Sequence, residues 1–489
     1  MVNTEEKYLL IFDVGTTAVK TIIFNTSGKI IEKTYQEYPT TTPSPGIVEQ
    51  NPEDWWLASK ESVKKALNSS KIEPKTISGI GVTTQRATIA PMDRNGEILH
   101  PAMTWMDARS CPSSDAMAQK FPQRNSMTKI LWLKDNRPQI FKKAFKFALV
   151  DTYMYYKLTG RFVSDFTNSA YGPFDIYGLK WSDEILDEAK IPIEKLPSLV
   201  PSGSIIGELS RSTASEIGLK VGIPIVAGGG DQQCSTIGLN ATSSGIVKAT
   251  TGTGTFLDAQ LDSPLFDLYD PLTRTFCIPH VIPDKWVFEA VLPGTGLIYR
   301  WFRDQFCSNE VQTASSIGID SYDIINLEAA SIQAGSEGLM IIPLFMFAKG
   351  LMWGLSFSHT KAHIARAILE STGYGLNFFI EVMNGQNIEV KELRIDGGAA
   401  KSRLWSQIQS DITGKPVVLT NVAEDASAFG AAILVSYGIG LRKSISGATK
   451  EMVQVVERIT PIQENSQIYN QIYPKFAEIF LQMAMEAKI

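Results

Sequence analysis

Five stretches of the chain carry residue types and spacings that could do chemistry. Asp13-Val14-Gly15-Thr16-Thr17-Ala18-Val19-Lys20 sets a carboxylate, a glycine and two hydroxyls at the end of an apolar run. Gly15 lets the backbone turn tightly and approach an anion. Thr16 and Thr17 offer hydroxyl and amide donors to phosphate oxygens, and Asp13 could hold Mg²⁺ directly or through water. An ordinary polar hairpin would use the same residues, and the GxxxxGK[ST] spacing of a Walker A loop is absent. Gly252-Thr253-Gly254-Thr255 is a second cradle of N–H and hydroxyl donors, or a plain β-turn. Gly228-Gly229-Gly230-Asp231-Gln232-Gln233 puts a lone carboxylate on a glycine-rich loop after a strand. That suits a base that takes a hydroxyl proton while the oxygen attacks phosphorus. Asp231 would serve equally as a helix cap. Asp396-Gly397-Gly398-Ala399-Ala400-Lys401-Ser402 leaves room for a flat adenine, or for an α-phosphate at a helix N-terminus. Tight strand–helix packing wants the same small residues. Finally, Thr83-Thr84-Gln85-Arg86-Ala87-Thr88, with Trp105, Asp107 and Arg109 downstream, collects the amide, guanidinium, carboxylate and indole groups that grip a polyhydroxylated ligand. A surface loop with internal ion pairs is the plainer alternative.

Strands and turns must position these groups. Tyr8 to Asp13, Ala18 to Asn25 and Lys29 to Tyr38 read as a three-stranded meander. Asn51-Pro52-Glu53-Asp54 opens a helix that runs to about Leu67, with a capping Asn, a first-turn Pro and acids near the positive end of the dipole. Ile77 to Thr83 is the next strand. This β-β-β-α-β order begins a ribonuclease-H-like or actin-like domain. The theme returns later. Strand Ile223 to Ala227 ends in three glycines, strand Gly245 to Thr251 runs into the second glycine–threonine turn, and strand Glu392 to Ile395 runs into Asp396. Two domains follow, 1–245 and 246–489, related by motif rather than by extended identity.

Composition narrows the function classes. The 489 residues carry 46 Lys and Arg against 51 Asp and Glu, a net charge of -5, so no global field draws nucleic acid or an anionic membrane. With 44% hydrophobic and 20% charged residues the chain is globular rather than disordered or fibrous. Cys111, Cys234, Cys277 and Cys307 show no CxxC spacing and read as reduced thiols. The four histidines, at 100, 280, 359 and 363, are too scattered for an HExxH centre. MVNTEEK lacks a signal peptide's basic start and apolar core. Ile341 to Leu355 is too short and too broken to span a bilayer. A cytoplasmic location is expected.

Together the motifs resemble the FGGY family of carbohydrate kinases over nearly the whole chain. Lys129 to Asn136 is similar to the family's first signature, with Arg124 departing upstream. Gly350 to Leu355 followed by His363 to Glu370 is similar to the second. The resemblance implies an α/β fold of two actin-like ATPase (ribonuclease-H-like) domains with an inter-domain cleft, sugar on the first and ATP on the second. It implies ATP-dependent phosphorylation of a small sugar, a xylulose-like ketose or a polyol, with Asp231 as general base. Nucleotide contacts then fall to Asp13, Gly15, Thr16, Thr17 and Lys20, to Gly252, Thr253, Gly254 and Thr255, to Gly296 and Arg300, and to Gly398, Ala399 and Ser402. Asp13 carries Mg²⁺. Substrate contacts fall to Gln85, Arg86, Trp105, Asp107, Asp231 and Gln232. Glu424 to Ala432 resembles the family's C-terminal helix start, where small residues serve packing. Ala87 stands where glycerol kinases carry Glu, which argues against glycerol, and the Gln-Met-His of xylulokinases is absent. Trp301 to Cys307, Leu404 to Ile408 and Val226 to Asp231 look more like the autoinducer-2 kinase branch. The alternatives are an autoinducer-2-type acceptor or, in other classes, a non-catalytic sugar sensor or an actin-like ATPase. No nucleic-acid or membrane partner is implied, and a homodimer is the assembly left open.

Overall fold

The computed structural model describes residues 6–109, 124–252, 254–265, 275–292, 294–344 and 350–486. Cys111, Thr253 and positions 345–349 lie outside them.

Strand Tyr8–Val14 (β1) is buried from Leu9 onward. A strand apolar on both faces belongs inside a sheet covered on both sides. β1 pairs antiparallel with Ala18–Asn25 (β2) and parallel with Ile77–Thr84 (β4). β2 in turn pairs with Ile30–Glu37 (β3), whose alternating exposure suits an edge. Between β3 and β4 runs helix Pro52–Ser70 (α1). The Asn51 side chain accepts from the Glu53 N–H at 3.3 Å, and the helix passes Leu67 by one turn before Lys71 ends it at φ 56°. Ile205–Glu208 (β5) and Pro224–Gly230 (β6) complete a six-stranded sheet in the order β5-β6-β4-β1-β2-β3.

The second sheet holds Gly245–Thr251 (β7), Thr255–Leu261 (β8), Thr275–Pro279 (β9), Trp286–Leu292 (β10), Val390–Gly397 (β11), Val417–Thr420 (β12) and Val455–Ile459 (β13). Its order is β9-β10-β8-β7-β11-β12-β13. Read from β10, the pairings are antiparallel, antiparallel, parallel, parallel, antiparallel. Read from β3, the first sheet gives the same series. The repeat therefore lies in strand connectivity, where sequence identity does not show it. This is the two-domain actin-like α/β fold.

Parallel strands bring their C-terminal ends to one edge, where open α/β sheets bind ligands. In the first sheet Val14 is level with Thr84, and Thr84 with Gly230. Asp13–Thr17, Gln85–Arg86 and Asp231 therefore leave the sheet side by side. In the second sheet Thr251 is level with Gly397, so the 252–255 turn and Gly398 are neighbours.

Helices Asn125–Asn136 (α2), Asp231–Gly238 (α3), Thr295–Phe306 (α4), Lys361–Gly385 (α5), Arg403–Thr413 (α6) and Ala426–Gly438 (α7) cover the sheets or bound the site. α3 and α7 follow equivalent strands, β6 and β12, and pack on each other nearly backbone to backbone. A Cβ on Gly238 would lie 2.0 Å from the Ala426 carbonyl oxygen, and one on Gly430 would lie 1.9 Å from that of Cys234. Ala428, Ala431 and Ala432 join Leu9, Ile11, Ile22 and Val226 in one buried cluster, so a segment late in the chain covers the second face of the first sheet. Gly430→Ala is expected to reach at least the upper end of the roughly 1–3 kcal/mol that overpacking costs, because its clash is with backbone. Gly385→Ala, with nothing within 4 Å of its Cβ, is expected to stay within about 1 kcal/mol of wild type. Urea unfolding of both variants compares them, and equal stability would contradict the close approach.

Candidate active site

The first loop is built to present N–H groups. The Gly15 N–H donates to the Ala18 carbonyl at 3.0 Å and closes the turn. The Gly15 carbonyl accepts the Tyr38 hydroxyl. The Thr16 carbonyl accepts from Gln50 Nε2 at 2.7 Å, and the Thr17 carbonyl from the Tyr38 N–H at 3.2 Å. In a trans peptide the next residue's N–H points opposite the carbonyl. With the Gly15 and Thr16 carbonyls engaged, the N–H groups of Thr16 and Thr17 face away from the partners that hold the loop. The Trp105 indole donates to Thr16 Oγ1 at 3.0 Å, so Trp105 reaches this loop. Gln85, expected on the sugar, is 2% exposed and donates instead to Gln50 Oε1 at 2.9 Å, bracing the loop from behind.

The second loop is a tight turn in which the Gly252 N–H meets the Gly254 carbonyl at 2.9 Å. The Thr255 hydroxyl is buried against Thr295 Oγ1 at 2.9 Å, which fixes the start of α4, and with it Gly296, beside the turn. That hydroxyl staples the loop rather than facing outward. Arg300 lies further along α4 with its side chain 66% exposed, 3.8 Å from Asp304. Gly397, at φ 77°, passes the second loop so closely that a Cβ would sit 2.5 Å from the Thr251 carbonyl oxygen. Gly398 and the buried Ala399 follow in a single 3₁₀ turn. The Ser402 hydroxyl, expected along the nucleotide, accepts the Trp405 N–H at 3.2 Å and caps α6.

Carboxylates line the space between the sheets. Lys20 Nζ lies 3.9 Å from Asp13 and 3.6 Å from Asp425, and Lys33 lies 2.8 Å from Asp425. Burial pushes the Asp13 carboxyl up to about 6, against the pull of Lys20 and with help from Asp231 and Asp425. Asp396 accepts the Ser235 hydroxyl through Oδ2, while Oδ1 is buried without a partner among the described residues. An all-oxygen donor set suits a hard cation such as Mg²⁺, which binds through one or two carboxylates together with phosphates. Among the described residues no group of three His, Cys, Asp or Glu could hold a metal unaided.

Asp231 is the first residue of α3, and Gly230 rather than Asp231 is the cap. Its Oδ1 accepts the Gln232 N–H at 2.8 Å and lies 3.2 Å from Arg86 Nε. Oδ2 takes no hydrogen bond among the described residues, and the side chain is 26% exposed. Burial raises its affinity for a proton, which Arg86 and Lys248 oppose. Arg86 itself lies in a slot between the sheets. Its guanidinium sits over the rings of Tyr171 and Phe256, and Nη1 meets Glu289 Oε2 at 2.6 Å. Tyr171 donates its hydroxyl to the other Glu289 oxygen at 3.0 Å. Gly230 makes the slot possible, since a Cβ there would lie 2.5 Å from Arg86 Cδ. Deeper still, Lys248 pairs with Asp258 and contacts Gln232 Oε1.

Asp165 sets both strand ends. It accepts from the Thr167 N–H at 2.8 Å and Asn168 Nδ2 at 2.6 Å. Thr167 Oγ1 then accepts the Gly230 N–H at 2.7 Å, and Asn168 Oδ1 accepts the Thr84 hydroxyl at 3.2 Å.

Asp107 does not join this group. Its carboxylate accepts the Val48 N–H at 2.9 Å and clasps Arg109 at 2.8 Å, so it is engaged by the fold rather than by Arg86. Lys129, in the first signature, is fully buried and donates to the carbonyl of Ala87, a residue held at φ 57°. Burial pushes the ammonium down to about 7. Between about pH 7 and 10.4, the free-lysine value, the unfolded chain carries one more proton than the folded one, so stability rises with pH. Lys129→Met is expected to flatten that rise by up to about 1.4 kcal/mol per pH unit in urea unfolding at pH 7 to 9. Equal slopes would show that the amine does not titrate there.

Glu289, Tyr171, Lys248 and Asp258 were not singled out by sequence. The readable signal was one charged residue inside each of three apolar strands, GIVKATT, TFLDAQL and WVFEAVL. Tyr38, Gln50 and Asp425 carried no such mark.

Residues 8–238 match the N-terminal domain of the FGGY family of carbohydrate kinases, and 247–439 match its C-terminal domain. The chain belongs to this family and is an ATP-dependent carbohydrate kinase. It is 31% identical to a gluconokinase from Bacillus subtilis (strain 168), over 96% of this chain and 95% of that one. It is 34% identical to a glycerol kinase from Saccharolobus islandicus (strain M.16.27), over 91% of each. Among solved structures, xylulose kinase from Lactobacillus acidophilus superposes with a TM-score of 0.83 at 25% identity, covering 97% of each chain. Gluconate kinase from the same organism has the same fold, with a TM-score of 0.85 at 24% identity, over 98% of this chain and 99% of that one. No described helix is long and apolar enough to cross a membrane.

Proposed function

We propose that the protein phosphorylates a small ketose or polyol, with Asp231 as general base. The observation that carries this is the asymmetry of the Asp231 carboxylate: Oδ1 is held by Gln232 and Arg86, while Oδ2 takes no hydrogen bond among the described residues and the side chain is 26% exposed. Oδ2 takes the acceptor's hydroxyl proton as the oxygen attacks the γ-phosphorus. The new O–P bond forms, the bond to the β-phosphate bridging oxygen breaks, and ADP leaves. The N–H groups of Thr16 and Thr17 and the glycine turn at 252–255 hold the phosphates from the two sides. Asp13, with the phosphates, would hold Mg²⁺, which neutralises developing phosphoryl charge when bound. Arg86 orients the base and donates to an acceptor oxygen, with Gln232 alongside. Trp105 walls the space next to Thr16. We assign Gln85 and Asp107 to positioning, and Ser402 and Thr255 to the fold.

We also propose that the unit boundary lies near 245, with α7 returned across it to the first sheet. The free thiols of Cys234, Cys277 and Cys307 and the use of ATP support a cytoplasmic location. The test is ADP release with and without each member of a panel of ketoses and polyols. Acceptor-dependent release is expected for at least one member. ATP hydrolysis indifferent to every acceptor would favour an actin-like ATPase instead.

A further inference from the structure

We propose that Glu289 makes the acceptor site selective for uncharged ketoses and polyols and closes it to sugar acids. This deepens the kinase reading and rests on it. A site that takes an aldonate needs a cation free to pair with the substrate carboxylate, and a guanidinium does so best. Arg86 is the guanidinium beside the base, and its charge is already paired. Glu289 Oε2 lies 2.6 Å from Nη1, and Asp231 Oδ1 lies 3.2 Å from Nε. The Tyr171 hydroxyl, bonded to the second Glu289 oxygen, holds the glutamate in place.

The other basic side chains described beside this group are also committed. Lys248 is fully buried against Asp258, which sits directly across from Glu289 on the neighbouring strand. Lys129 is fully buried and donates to the Ala87 carbonyl. Two cations, Arg86 and Lys248, thus face three carboxylates, Asp231, Asp258 and Glu289. An incoming carboxylate at the open side of Arg86 would add a fourth negative charge beside Glu289, itself 1% exposed, with only those two cations to balance it. Like charges brought together at a buried contact cost several kcal/mol. A hydroxyl adds no charge: Arg86 Nη2 makes no hydrogen bond among the described residues and can donate to it.

The test compares kcat/KM at fixed ionic strength for glycerol, xylitol, D-xylulose and D-glucitol against glycerate, xylonate and gluconate. Wild type is expected to favour its best uncharged acceptor over the acid of the same length by about 100-fold or more. Glu289→Gln removes the compensating negative charge and is expected to narrow that ratio about tenfold or more, chiefly through a lower KM for the acid. Glu289→Asp restores the charge and the wild-type preference. Comparable use of an acid and its uncharged counterpart by wild type overturns the proposal, and so does an unchanged ratio in a folded Glu289→Gln. If that variant does not fold, the wild-type ratio and that of Glu289→Asp still decide. Failure of wild type to phosphorylate any acceptor on the panel would instead count against the kinase reading itself.

Discussion

Asp231→Asn is expected to lower kcat by roughly 10²–10⁴-fold, the usual loss when a general base is removed. ATP and acceptor binding should stay near wild type. Asn keeps an Oδ1 acceptor for the Gln232 N–H and for Arg86, so the start of α3 and the guanidinium slot are preserved. What it loses is the second carboxylate oxygen, Oδ2, which takes no hydrogen bond among the described residues. Steady-state kinetics and equilibrium binding together separate the two effects. Retention of more than about a tenth of kcat would move the base elsewhere.

Arg86→Met should have two separable consequences. It strands Glu289, 1% exposed, without its counter-ion, and breaking a buried pair from one side costs about 3–5 kcal/mol. It also removes the donor to the acceptor, costing roughly 1.5–3 kcal/mol in kcat/KM for the sugar. The double variant Arg86→Met with Glu289→Leu is expected to regain much of the stability, because an apolar pair of similar volume replaces two buried charges. Acceptor use should stay impaired. Urea unfolding reads the first effect and kinetics the second. A single variant as stable as wild type would show that the ion pair is not buried in solution.

The division between what was legible in the sequence and what was not follows from chemistry. Strand β1, helix α1 and the glycine loops were readable because local rules write them: an unbroken apolar run, an Asn-Pro-acid start, Gly where the backbone must turn or approach closely. Asp231 stood out because a lone carboxylate follows three glycines, which suits a base or a helix cap. Its rival reading as a helix cap gave way to Gly230, since the helix begins one residue earlier. Partners that arrive from distant strands were not readable. Asp107 looked like a sugar ligand beside Arg86, but its neighbour Arg109 and the Val48 amide claim it. Arg86 finds its counter-ion 203 residues away on the second sheet. Spacing along the chain cannot show such a pair, because it depends on how two similar sheets face each other. The same holds for Gly238 and Gly430, whose reciprocal fit exists only once α3 meets α7.

The central claim is that Asp231 and the two phosphate loops act on one γ-phosphoryl group that ends on a sugar hydroxyl. The most direct measurement follows γ-labelled phosphate from Mg·ATP in the wild-type enzyme with its best panel acceptor. The expected result is one labelled sugar phosphate formed per ADP, with little label in inorganic phosphate. Label released mainly as inorganic phosphate, at a rate indifferent to the acceptor, would contradict it.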